Sequence, residues 1–477
     1  MRARFDQRHP GYLSDTGFRH PERTAVWTLL RHRCKPGPRR GGPRGLSEFK
    51  VTPRNLAFKI LRKPGAGPGA FERRLEDAFG NDPKMAPRDR AFAVHLVQGV
   101  LRWRSRLDWI INCYASFPFS RIEPDVLTVL RIALYQMLFM DRVPDSAAVN
   151  EAVKQVSACG RPHLRSFVNG ILREISRHKG QCDFPSREEN PVSHLSARYS
   201  YPEGMVRKWI TELGFEKTEG LLQAGNMVSP MVLRVSSRRI SRDELAVMLS
   251  AEGIRVRYAG FSPDGLIVEE LRRPVGEIEA FRRGFFTVQG EAAQAASRLL
   301  APSPGDHVLD LCAGLGGKTT HLAELTGDRG MVVAVDRNTN RLAEMLRTAG
   351  RMDLRSIRPV AADVSENLCG WLGKRFDCIM LDAPCSALGT ISRHPDVKWW
   401  RKEEDIQRLS RLQARLLDCA IELLRPGGRV LYATCTISRE ENEDVVESCA
   451  ARHRSIFVED LRRTAPGWAE PLLDDSG

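Results

Sequence analysis

Two cysteines stand where sulfur chemistry can be done. Cys385 lies in Asp382-Ala383-Pro384-Cys385-Ser386, directly after the apolar run 378–381, and Cys435 in Ala433-Thr434-Cys435-Thr436, directly after the run 429–432. Short apolar runs bounded by turn residues read as buried strands. Both thiols therefore fall at strand exits, the edge where open α/β sheets place their active sites. A free cysteine is often just a small buried hydrophobe, and Cys378, Cys419 and Cys449 are read that way. Eleven cysteines without a single Cys-x-x-Cys pair set aside a zinc ribbon, and no metal set is expected. Their scatter fits a reducing cytoplasm.

A second cluster lies upstream. The run 307–311 ends in the glycine-rich turn Cys312-Ala313-Gly314-Leu315-Gly316-Gly317-Lys318, ahead of a helical stretch. Such a strand, turn and helix lets backbone N–H groups close on a ligand. It is not a phosphate loop: a Walker loop needs glycine where Cys312 stands, and a dinucleotide fingerprint from Gly314 needs glycine at Thr319. The next run ends in Asp336, twenty residues after Gly316, an offset that suits ribose hydroxyls. Asp363, after a third run, is placed to receive an adenine amino group. Glycine turn, ribose acid and adenine acid without a phosphate loop point to S-adenosyl-L-methionine. The residues expected to hold it are Cys312, Ala313, Gly314, Leu315, Gly316, Gly317, Lys318, Asp336, Asp363 and Asp382. Helix capping is the competing role for Asp336 and Asp363.

The elements that must position these residues follow from periodicity. From 291 onward, short apolar runs alternate with helical stretches, which predicts a Rossmann-like, doubly wound α/β domain over 291–477. Residues 50–185 instead repeat apolar positions every three to four residues, as in Val126, Val129, Leu130, Leu134, Met137 and Leu138. An all-helical domain is expected there, with one helix over 147–156. Prolines and mixed charge over 180–200 read as a linker. Residues 200–290 read as a small α+β module, with strands at 233–235 and 254–256 and a helix over 241–252. Residues 1–49, with five Pro and six Gly, read as a disordered basic tail.

Composition bounds the partners. The 477 residues are 42% hydrophobic and 28% charged, a globular balance. No run approaches the ~18 apolar residues of a membrane span, and none resembles a signal-peptide core. Net charge is +14 and unevenly spread: +7 over 1–49, +8 over 50–190, +2 over 191–290 and −3 over 291–477. The first three segments are suited to gripping a polyanion. The plainer source of the charge is a GC-rich genome, since Arg outnumbers Lys 60 to 13.

The stretch 307–446 resembles the RNA cytosine-C5 methyltransferases, which carry both the Asp-Ala-Pro-Cys-Ser and the Thr-Cys motifs. The helical region resembles the NusB-like domain attached to one branch of them, the Sun (Fmu, RsmB) ribosomal RNA methyltransferases. The matching stretches are Asp89-Arg90-Ala91-Phe92, residues 130–136, residues 148–153 and Phe167-Val168-Asn169-Gly170-Ile171-Leu172-Arg173. The resemblance covers about residues 50 to 465. It implies S-adenosylmethionine-dependent C5 methylation of a specific cytosine in small-subunit (16S) ribosomal RNA by a cytoplasmic monomer, with neither metal nor membrane involved.

The chemistry needs a thiolate because cytosine C5 is a poor nucleophile. Attack at C6 breaks the aromaticity and leaves an enamine whose C5 can take a methyl group. The resemblance implies that Cys435 attacks, that Cys385 assists release and that Asp382 holds the base edge near N3. Pro384-Cys385 also looks like the Pro-Cys pair of DNA cytosine methyltransferases; the Thr-Cys strand exit favours RNA. An unstacked cytosine is the expected target. Arg393, His394, Lys398 and Arg401 are candidates for the RNA backbone, and Trp399 or Trp400 for stacking. Three departures stand out. Gly314 and Leu315 replace the usual Ala-Pro of the loop, Ser236 replaces the Asn of Leu-Arg-Val-Asn, and the closing Asp-Gly-Phe-Phe-Tyr strand is expected to be missing. Competing readings are a non-catalytic RNA-binding or ribosome assembly factor with a vestigial methyltransferase domain, and a tRNA cytosine-C5 methyltransferase.

Overall fold

A computed structural model describes residues 52–474 except 64, 66, 68, 179–181, 272 and 365–375. The tail expected over 1–49 lies outside them. The described chain divides into two compact units, 52–228 with 389–401, and 229–388 with 402–474.

The first unit is helical: α1 (Pro53–Leu61), α2 (Ala70–Asn81), α3 (Pro87–Tyr114), α4 (Pro124–Phe139), α5 (Asp145–Ala158), α6 (Arg165–Arg177), α7 (Pro191–Tyr199), α8 (Glu203–Leu213) and α9 (Phe215–Asn226). α4 is its centre. Val126, Val129, Leu130, Ile132 and Leu134 are all fully buried, as expected for a helix apolar on most sides. α3 meets it at Gly99, where an added Cβ would lie 2.0 Å from the Tyr135 ring. The proline-rich stretch read as a linker is in part helix α7. Pro191 sits in its first turn, where its missing N–H costs nothing, and Asn190 caps it by accepting from the Ser193 N–H at 3.0 Å. Two more helices follow before any strand.

Residues 389–401 complete the helical unit, and here a sequence expectation is corrected. Lys398 is 1% exposed. Its ammonium donates to the carbonyls of Arg102 and Ser200, both at 3.1 Å, and to Asn226 Oδ1 at 2.7 Å. All three donors are taken, so Lys398 has none left for RNA. Trp399 packs on the helical core and donates its indole N–H to the Leu101 carbonyl at 2.6 Å.

The second unit holds two sheets. In the first, β1 (Met231–Val235), β2 (Arg255–Tyr258), β3 (Gly265–Glu270) and β4 (Phe286–Val288) are antiparallel in the order β2-β3-β1-β4. α10 (Arg242–Ala251) carries a capping box between Ser241 and Glu244. The second sheet is parallel, β7-β6-β5-β8-β9, built from β5 (His307–Asp310), β6 (Met331–Asp336), β7 (Ile357–Ala361), β8 (Phe376–Asp382) and β9 (Leu424–Ala433). Around it lie α11 (Glu291–Leu300), α12 (Gly317–Leu325), α13 (Thr339–Arg351), α14 (Glu403–Leu423) and α15 (Glu443–Arg452). Strand order reverses between β5 and β8, which opens a crevice at their carboxyl ends. No helix among the described residues is long and apolar enough to cross a membrane.

One side chain ties the small sheet to the parallel one. Arg234 on β1 is 0% exposed. Its guanidinium donates to the Gly317 carbonyl at 2.6 Å and to Thr320 Oγ1 at 3.0 Å, and it pairs with Glu324 at 3.1 Å. Ser236, at the departure noted above, hydrogen-bonds the same Glu324. Arg234→Met strands a buried carboxylate, so it is expected to lower stability by about 3–5 kcal/mol. Urea unfolding checks this, and a loss under 1 kcal/mol rules out a structural pair.

Candidate active site

The glycine turn forms because β5 ends in Asp310 and the backbone must reverse into α12. Gly314 and Gly316 both have positive φ, 57° and 78°. Gly316 has no room either: a Cβ there would meet Met345 Cγ at 2.1 Å. Leu315, between them, points outward at 52% exposure. Asp336, at the end of β6, braces the turn. Its Oδ2 accepts from the Gly314 N–H at 2.9 Å and its Oδ1 from the Asn338 N–H at 2.7 Å.

Asp310 is a site residue that sequence reasoning missed. It is 1% exposed and accepts from Thr319 Oγ1 at 2.7 Å. Burial pushes its carboxyl up to about 6, against the pull of that bond. The visible signal was an acid closing an otherwise apolar strand before a glycine turn.

Asp363 follows β7 and Asp382 closes β8. Lys318, at the head of α12, reaches Asp382 Oδ2 at 2.6 Å. Burial first, and then the charges of Asp310, Asp382, Asp336 and Asp363, push the Cys312 thiol well above its ordinary range. Cys312 therefore stays protonated, in the field of four carboxylates against the one Lys318 ammonium. Such a site suits a ligand that brings its own positive charge.

The two cysteines meet. Cys385 Sγ and Cys435 Sγ are 3.2 Å apart, and the Cys435 N–H donates to Cys385 Sγ at 3.2 Å. β8 and β9 are adjacent and parallel, so their exits bring the two motifs side by side. The turns are locked together: Ser386 Oγ and Thr436 Oγ1 are 2.6 Å apart. Beneath them the fully buried Glu441, also missed in the sequence, accepts from the Ser386 N–H at 2.8 Å and from Gln413 Nε2 at 3.0 Å. Ala387 takes a left-handed φ of 64°, an uncommon conformation for a residue with a Cβ.

The two thiols are unequal. The Cys435 thiol, aided by the N–H groups of Cys435 and Ala387, holds Cys385 below the usual thiol range, while burial opposes it. Cys435 is pushed up, above all by its bond to Cys385. Of the two thiols Cys385 is therefore the more readily ionised, where two N–H dipoles meet it.

Asp336→Ala removes a charged acceptor from the glycine turn. It is expected to weaken S-adenosylmethionine binding by about 1.5–3 kcal/mol, the range for hydrogen bonds to charged groups. Calorimetry giving unchanged affinity would take Asp336 out of the site.

Three family models match the chain in series: the NusB family over residues 51–177, the RsmF/B-like ferredoxin-like domain over 201–275, and the 16S rRNA methyltransferase RsmB/F over 297–468. The chain is 36% identical over 402 residues to the ribosomal RNA small subunit methyltransferase B of Pseudomonas syringae pv. tomato, covering 84% of this chain and 87% of that one. It is 31% identical over 427 residues to the probable ribosomal RNA small subunit methyltransferase B of Bacillus subtilis, covering 89% and 94%. The solved structure of PH0851 superposes with a TM-score of 0.69 at 26% identity, covering 85% of this chain and 91% of that one.

Proposed function

The chain belongs to the ribosomal RNA small subunit methyltransferase B family, and from that membership we propose that it moves a methyl group from S-adenosylmethionine to C5 of a cytosine in small-subunit rRNA, with Cys435 as nucleophile. The observation that carries the covalent route is the pair of sulfurs 3.2 Å apart at neighbouring strand exits. The cofactor fits the turn 312–318 and the acids around it. S-adenosylmethionine is a sulfonium with an ammonium group, and the excess of carboxylate around the turn suits that charge. The sulfonium supplies an electrophilic methyl group.

The protein's own residues do the rest. Once Cys385 is ionised, moving the Cys435 proton to it makes Cys435 the thiolate, which bonds to C6. Electron density displaced toward N3 is neutralised by a proton that passes from the Lys318 ammonium across Asp382, which holds the base edge. C5, now enamine-like, takes the methyl. A base then removes the C5 proton, the C5–C6 double bond re-forms, and the Cys435 sulfur departs. The Cys385 S–H hydrogen-bonds the departing thiolate and restores the pair. The helical domain over 50–185 and the basic module over 200–290 hold the RNA, as their charge provides.

The test is a choice of RNA. The protein is incubated with labelled S-adenosylmethionine and either naked small-subunit rRNA or unmodified tRNA. Label in the rRNA alone supports the reading; label in tRNA alone overturns it in favour of a tRNA enzyme. No label in either, from protein that binds both RNA and cofactor, favours a non-catalytic assembly factor.

A further inference from the structure

The catalytic part of the chain, 291–477, sums to −3, yet one face of it is basic. α14 buries Ile406, Leu409, Gln413, Leu416 and Leu417 against its domain. Its solvent face carries Arg408, Arg411 and Arg415, all exposed. With Arg452 of α15 they line a shallow concavity of about 550 Å³ that also takes in Ala414 and Asp418.

Two of these cations are already answered. Arg408 pairs with Asp405 at 3.0 Å, and Arg452 makes two bonds to Asp418 at 2.9 and 3.0 Å. Arg411 and Arg415 have no hydrogen-bond or ion-pair partner among the described residues. They lie four apart on one helix, and Arg408 lies three before Arg411, spacings at which like charges repel. With 60 arginines in the chain, the choice of Arg carries no meaning by itself. The like-charge spacing does, because the one acid in the concavity, Asp418, is already bonded to Arg452, which leaves four arginines to one carboxylate and favours an external anion.

The opposite side of the same helix reaches the catalytic turn. Gln413 Nε2 donates to the Pro384 carbonyl at 2.8 Å, one residue before Cys385. The arginine face and the turn that carries Cys385 thus lie on opposite sides of one helix, which is ~10–12 Å across. We propose that the outer face of α14, through Arg411 and Arg415, binds backbone phosphates of the rRNA segment flanking the target cytosine while the base itself is turned in to Cys435. This rests on the RNA methyl-transfer reading above, whose substrate supplies the matching charge.

The test uses the full chain and two double variants, Arg411→Gln/Arg415→Gln and Arg411→Glu/Arg415→Glu. Both sites are exposed, so folding should be unaffected. RNA affinity is followed against salt by fluorescence anisotropy with a small-subunit rRNA fragment, alongside KM, kcat and cofactor affinity. Losing two phosphate contacts should lower the salt slope by about 1.4, at ~0.7 per contact on a single strand. KM for RNA should rise by about tenfold, more for the Glu pair, with kcat within about twofold and cofactor affinity unchanged. An unchanged slope and affinity overturn the proposal and leave a solvated or protein-facing surface. A fall in kcat with KM unchanged also overturns it. If the wild type transfers no methyl to rRNA, the functional reading fails, while the anisotropy series still decides the face.

Discussion

Cys435→Ala is expected to lower methyl transfer by at least about 10⁴-fold, the scale on which enzymes lose a covalent nucleophile, and to form no protein–RNA adduct. Without the thiolate no bond forms at C6, and C5 stays part of an aromatic ring. Cys385→Ala should behave oppositely. Its loss removes the largest influence holding Cys435 protonated, so attack and methyl transfer proceed. Departure of the Cys435 sulfur then lacks its S–H partner, and the chain stalls on the RNA as a species that survives denaturing electrophoresis. Cys435 is exposed, so its replacement by alanine should change stability by no more than about 0.5 kcal/mol, and a folding defect cannot imitate the result. Adduct in Cys435→Ala, or none in Cys385→Ala under conditions where the wild type turns over, would reverse the roles to those of a Pro-Cys nucleophile.

Asp382→Asn is expected to lower kcat by about 10²–10⁴-fold, the usual scale for a positioned acid–base group. Addition at C6 drives electron density to N3, and that density must be met by a proton or a hydrogen bond. The carboxylate with the Lys318 ammonium 2.6 Å away is the pair placed to provide it. The amide keeps the shape, loses the charge and leaves Lys318 without its partner. Single-turnover transfer separates this step from product release. A fall of less than about threefold would remove Asp382 from the chemistry, and a loss confined to cofactor affinity would make it a binding residue only.

Much of this site was legible because its parts are local. A strand followed by Asp-Ala-Pro-Cys, another by Thr-Cys, and a third by a glycine turn are patterns of a few residues, and parallel strand topology carries all three to one edge. Periodicity likewise exposed the helices around α4 and the helix capped by Ser241. What stayed hidden depends on partners distant in sequence. Lys398 looks like an RNA-facing cation beside Arg401. Only the fold reveals that three oxygens, from Arg102, Ser200 and Asn226, enclose its amine. Glu441 reads as one more acid in a charged run until the Ser386 N–H and Gln413 are found upon it. Arg234 reads as the polar interruption of a strand, and its partners lie 55 to 90 residues downstream. Pro191 reads as part of a linker, whereas at a capped first turn proline starts a helix.

The most direct measurement is the identity and position of the methylated nucleoside. Small-subunit rRNA methylated with labelled S-adenosylmethionine is digested, and the labelled nucleoside is identified by mass and mapped to its site, for wild type and Cys435→Ala in parallel. The proposed chemistry requires 5-methylcytidine at one unpaired position with the wild type and no label with Cys435→Ala. Label on another atom or base, or 5-methylcytidine that persists in Cys435→Ala, would contradict it.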